Sequence, residues 1–165
     1  MKFFDVLPSL AENELLKRGV MTDELLYCVK ADLDGEGCYI DVYITFTKEV
    51  LSVLSGYEKY GRMQRGSKRK NLVEFTVSDY SEYPLKDIEE MYVDRYVNSA
   101  RLMIKSKRGE EFPIARFSLG FADKFEKFSQ RVNLTVKGEP IDDSLLEGTK
   151  THCPICGEPF PDPNR

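Results

Sequence analysis

The sequence predicts a mainly β chain with helices: seven antiparallel strands forming a small barrel or sandwich, capped by one amphipathic C-terminal helix. Three observations carry this expectation. Apolar residues recur with a period of two in seven short runs divided by turn residues. Near the end the period becomes helical, with Phe121, Phe125, Phe128 and Val132 spaced four, three and four apart. A length of 165 residues, 41% hydrophobic and 32% charged, suits a globular chain with one buried core.

Ser9-Leu10-Ala11-Glu12 reads as a capping box, with Ser9 at the N-cap and Glu12 three residues on. Leu7, Leu10, Ala11 and Leu15 share a helical face and Gly19 suits the stop, so a helix is expected over residues 10–18. Its apolar face packs on its own domain or, as the alternative, docks a partner.

The period of two starts at Glu24. Leu25, Tyr27, Val29 and Ala31 line one face, and Asp34-Gly35-Glu36-Gly37 turns the chain. In the next run Ile40, Val42, Ile44 and Phe46 point to the core while Asp41, Tyr43, Thr45 and Thr47 face water. Val50 to Leu54 is its hairpin partner. Glu58 to Lys70 has no apolar periodicity and reads as a loop. Val73, Phe75 and Val77 alternate again. Leu85-Lys86-Asp87-Ile88 turns into a strand through Met91 and Val93, and Asn98-Ser99 leads to one carrying Leu102 and Ile104. Lys107-Arg108-Gly109-Glu110 is a hairpin loop into Phe112, Ile114 and Phe117. Ser118 is the expected N-cap of the last helix, whose three phenylalanines plug an open end of the barrel or, as the alternative, grip a ligand or a partner helix. The organisation expected is therefore a helix in 1–19, the β domain in 20–137, a polar linker in 138–150 and a separate tail in 151–165.

That tail carries the one metal motif. Cys153-Pro154-Ile155-Cys156-Gly157 places two thiolates two residues apart on a tight turn, which is half of a tetrahedral zinc site. A second such pair normally follows, so the chain is expected to be the front piece of a longer protein. Zinc on Cys153 and Cys156 is expected there, with an unmetallated tail as the alternative in these residues alone. His152 adjoins Cys153 and reads as a flanking residue, since adjacent residues seldom share one tetrahedral ion. Gly157-Glu158-Pro159-Phe160-Pro161 cannot start a regular helix, which argues against a redox pair.

Other classes find little support. Four cysteines, two of them in this knuckle, do not make a disulfide framework. No apolar run approaches the roughly 20 residues of a membrane span. The only histidine is His152, so no Ser-His-Asp or Cys-His pair forms in the β domain. A cytoplasmic, non-enzymatic domain is expected. Against a net charge of −4, six cations cluster within twelve residues: Lys59, Arg62, Arg65, Lys68, Arg69 and Lys70. Near Tyr57, Tyr60 and Met63 they suit a solvated loop, an anionic lipid surface or, third, nucleic acid.

Two stretches carry a family resemblance. Tyr43-Ile44-Thr45-Phe46-Thr47-Lys48-Glu49-Val50-Leu51 resembles the strand-turn-strand of bacterial PH-like and GRAM-like domains. Pro84-Leu85-Lys86-Asp87-Ile88-Glu89-Glu90-Met91-Tyr92-Val93 is similar to their approach to the fifth strand. The likeness covers residues 20–135 and implies the PH-like plan of seven strands and a closing helix. With the knuckle behind it, the arrangement resembles the cytosolic N-terminal extension of some large bacterial ABC exporters. That resemblance implies a regulatory or scaffolding domain joined by a zinc ribbon to membrane helices and an ATPase. It would be attached to the cytoplasmic membrane through the part that follows, touching the ATPase domains, a paired protomer or the inner leaflet.

Overall fold

The structure, a computed structural model, describes residues 5–61 and 72–141. Helix α1 (Ser9–Lys17) is followed by strands β1 (Tyr27–Asp34), β2 (Tyr39–Phe46), β3 (Val50–Tyr60), β4 (Leu72–Pro84), β5 (Ile88–Arg95), β6 (Ser99–Ser106) and β7 (Glu111–Ser118), then helix α2 (Ala122–Val136). The strands form one seven-stranded antiparallel sheet in the order β4-β3-β2-β1-β7-β6-β5. Two meanders, β1–β4 and β5–β7, meet at a short seam where only Leu33↔Arg116 and Asp34↔Ala115 pair.

The sheet is not the closed barrel that was one of the two forms expected. Closure would require β4 and β5 to bond to each other, yet they are the two ends of the sheet. The Leu85–Asp87 turn carries the chain between them. Helix α2 fills the concave side instead. Phe125, Phe128 and Val132 are fully buried against Val29, Val42, Ile44, Phe46 and Leu102. Phe128 meets Phe46 edge-on with ring centroids 5.3 Å apart, and Phe125 stacks on Phe117. Burying such rings stabilises by roughly 1.5–3 kcal/mol each, which makes α2 the main cover of the inner face.

A second apolar cluster lies on the convex side. Leu7, Ala11, Leu15 and Val20 from the α1 region pack on Cys28, Tyr43, Leu54 and Phe75. The expectation that α1 packs on its own domain holds. The expectation that Tyr43, Thr45 and Thr47 face water does not, since all three are buried. With α1 on one side and α2 on the other, β2 is a covered strand, and alternation alone cannot separate two covered faces from one.

Helix ends differ from the capping expected. The N-cap of α1 is Pro8, and Ser9 is already the first helical residue, without a capping side-chain bond. A fixed φ near −63° at Pro8 sets the helix start without a side-chain acceptor. Ser118 precedes a 3-10 turn, Leu119–Phe121, and Phe121 is the N-cap of α2. Phe121 is therefore outside the helical phase of the stripe and is half exposed. Gly19 does end α1: at φ +82° it lets Val20 N–H reach Leu15 O at 3.1 Å, a turn that L side chains resist.

Candidate functional site

Strand β3 runs to Tyr60, through residues that read as loop in the sequence. Its partner β2 stops at the Asp41↔Gly56 pair, so beyond this point β3 pairs with β4 alone. Tyr57–Tyr60 and Leu72–Thr76 thus form a two-stranded ribbon projecting past the sheet. Gly56 stands at its root, where a Cβ would lie 2.5 Å from Thr76 O and 2.7 Å from the Phe75 ring. Along the ribbon Tyr57, Tyr60 and Val73 are exposed, as is Lys59, which lies opposite Glu74. Lys59 is the only one of the six cations placed among the described residues. Arg62, Arg65, Lys68, Arg69 and Lys70 lie outside them, as do Cys153, Cys156 and His152. No group of three or more metal-binding side chains occurs among the described residues.

A compact polar cluster anchors the ribbon to the convex face. Even-numbered Lys30 and Glu58 and odd-numbered Asp41 and Tyr43 project there because of the strand registers Lys30↔Tyr43 and Asp41↔Gly56. The Glu58 side chain is 1% exposed and lies 3.2 Å from Lys30 Nζ. Tyr43 and Tyr60 hydroxyls both donate to it. Lys30 Nζ also lies 3.4 Å from Asp41, whose other oxygen accepts the Glu58 backbone N–H at 3.2 Å.

Burial alone would push the Glu58 carboxyl up, but the two tyrosines and Lys30 outweigh it and hold the pKa below the usual glutamate value. Burial likewise pulls Lys30 down, and Glu58 more than restores it. Tyr43 is pushed far up, first by burial and then by its bond to Glu58. The arrangement therefore holds an ionised carboxylate with its donors satisfied. Its chemistry is that of a fastening.

Two other stretches of strand edge are each capped at one residue by side chains. At β5, Met91 N–H donates to Asn133 Oδ1 at 2.7 Å and Met91 O accepts from Asn133 Nδ2 at 2.8 Å. One amide thus copies the paired bonds a neighbouring strand would make. Arg95 adds ion pairs from β5 to Glu126 at 2.8 Å and Asp123 at 3.2 Å on α2. Where β1 leaves β7, Lys30 N–H donates to Asp5 Oδ2 at 2.7 Å, and Lys124 Nζ bonds the same oxygen at 2.7 Å. A cleft of about 390 Å³ lies there, bordered by Tyr39, Phe121 and Lys124.

A larger cleft, about 490 Å³, opens between β4, the β1–β2 turn and β7. Its walls include Asp34, Glu36, Ser55, Asp79, Tyr83 and Ile114, and no lysine or arginine lines it. Among the described residues no helix is long and apolar enough to cross a membrane. A scan of protein-family models and searches of curated proteins and of solved structures find no match to the chain.

Sequence reasoning misses the Glu58 cluster because Glu58 sits at the head of the basic run, which reads as loop. The available signal was the alternation Val53, Ser55, Tyr57 against Leu54, Gly56, Glu58, continued across the glycine. Arg131, fully buried with its guanidinium 5.2 Å from the Tyr27 ring, was also unmarked. Its only trace was a cation inside the apolar stripe of α2.

Proposed function

We propose that this chain is a PH-like module that works by contact, as a regulatory or scaffolding domain of a larger bacterial transporter polypeptide. The observation carrying the reading is the architecture: a four-strand and a three-strand meander meeting edge to edge, with a C-terminal helix filling the concave side. This arrangement supports the PH-like plan that the sequence resemblance implies. The Cys153–Cys156 knuckle, with zinc, would serve as the joint to the remainder of that polypeptide.

An antibody raised against residues 5–141 tests the proposal in the native cell. A membrane-fraction band far heavier than 19.0 kDa, with ATPase activity in the immunoprecipitate, supports it. A 19.0 kDa band confined to the soluble fraction overturns it.

The β3–β4 ribbon favours a second reading, an anionic lipid contact. Exposed Tyr57, Tyr60 and Val73 flank Lys59 just before the other five cations in sequence. A basic residue near an anionic membrane contributes at most about 1 kcal/mol, so several must act together. Salt-sensitive pelleting with phosphatidylserine vesicles tests it, with Lys68, Arg69 and Lys70 reversed to glutamate as the control. Unchanged pelleting in that variant rejects the reading, and salt-sensitive retention on DNA in place of vesicles assigns the run to nucleic acid.

A further inference from the structure

We propose that the free edge of β4 receives an extended, basic segment of a partner protein by strand addition. This goes beyond the reading above and does not depend on the chain belonging to a transporter. A strand edge is a row of unpaired N–H and O=C groups, and proteins close such rows or use them. Among the described residues, two other edge stretches are each capped by side chains at one residue. The Asn133 amide occupies Met91 on β5, and Asp5 with Lys124 occupies Lys30 on β1.

On β4 nothing comparable is present among the described residues. Its thirteen residues, Leu72–Pro84, pair with β3 on one side only. The one side-chain bond to its backbone is local, Tyr80 N–H to Asp79 Oδ1 at 2.9 Å. α1 packs over the face of β4 at Val77 and Tyr80.

Charge selects the occupant. Glu74, Asp79 and Glu82 are exposed along β4, and the strand has no lysine or arginine. None of the three forms an ion pair with a described residue. Among the described residues, Lys59 lies opposite Glu74 on β3 and Arg18 lies over the Tyr80 ring. A second copy pairing β4 to β4 would set carboxylates against carboxylates, which is unfavourable. A strand bearing lysine or arginine at alternate positions sets its cations on one face, where they meet Asp79 at the cleft side of β4. Its inward side chains also reach the mouth of the 490 Å³ cleft, where Asp79 of β4 faces Asp34 and Glu36 of the β1–β2 turn.

The test uses the full chain and a fluorescent synthetic heptapeptide of alternating lysine and valine. Expected are salt-sensitive binding by fluorescence anisotropy, and slowed amide exchange in β4 with Met91 unchanged. The double variant Asp79→Lys, Glu82→Lys should bind at least about tenfold more weakly while keeping the wild-type melting temperature. A peptide N-methylated at alternate residues should not bind, because it cannot form the ladder. Any of four results overturns the proposal: no binding, equal binding of a glutamate–valine peptide, equal binding of the N-methylated peptide, or protection elsewhere than β4. Dimerisation of the chain alone that the double variant abolishes also overturns it, assigning the edge to a second copy.

Discussion

Replacing Asn133 removes the side chain that stands in for a strand beside β5. Asn133→Ala loses both amide bonds to Met91, at 2.7 and 2.8 Å, and leaves a part-buried N–H and C=O without partners. Each bond is worth about 0.5–1.5 kcal/mol net, so the expected loss is about 2 kcal/mol. With an ordinary urea dependence that lowers the unfolding midpoint by roughly 1 M. If the Met91 amide opens locally, the same energy speeds its hydrogen exchange by about thirtyfold. Asn133→Asp separates the two bonds. The carboxylate still accepts from Met91 N–H, but its second oxygen now faces Met91 O. At neutral pH the aspartate variant should therefore be less stable than the alanine variant. The difference should shrink on acidification, because the protonated carboxyl can donate to Met91 O. A loss below about 0.5 kcal/mol for Asn133→Ala, with Met91 exchange unchanged, would refute the reasoning.

Other consequences follow from the ribbon and the cysteines. Because the Glu58 pKa is held below its unfolded value, its contribution is complete above the unfolded carboxyl range and lost as pH falls through the folded pKa. Glu58→Gln should flatten that part of an acid-denaturation curve, and an unchanged curve would show that Glu58 adds nothing. Gly56→Ala should destabilise by about 1–3 kcal/mol, since the new methyl meets the backbone oxygen of Thr76; chemical denaturation reads this directly. The Cys28 thiol is buried and pushed up to about 12, chiefly by burial, whereas Cys38 is exposed. Peptide mapping after iodoacetamide should find Cys38 labelled in the native chain and Cys28 only after unfolding.

What the sequence made legible was the alternation and the turns. Ile40 to Phe46, the Asp34–Gly37 turn, the Lys107–Glu110 loop and the Phe125, Phe128, Val132 stripe all stand in the structure where the pattern placed them. The misses share a cause. Alternation reports side-chain phase but not what lies on each face, so it sets Thr45 and Tyr43 in water although both are buried, Tyr43 beneath α1. Phe121 fitted the four-three-four spacing, yet it precedes the helix and its phase is set by the 3-10 turn. Glu58 gave no apolar signal because its burial depends on Tyr43 and Lys30, brought by strands β2 and β1. Asn133 is one polar residue on a helix, and its role exists only where α2 meets β5.

The two-pair seam between β1 and β7 also has a meaning for biosynthesis. Leu33 and Arg116 are separated by on the order of eighty residues of chain, so this pairing follows the local hairpins. While the chain is being made, β1–β4 can assemble as soon as they emerge, with α1 already covering their convex side. Their concave side, with Val29, Val42, Ile44, Phe46 and Leu51, must wait uncovered for α2. At ordinary elongation rates of about 5–20 residues per second that interval lasts several seconds. During that period the nascent chain presents this apolar face to chaperones.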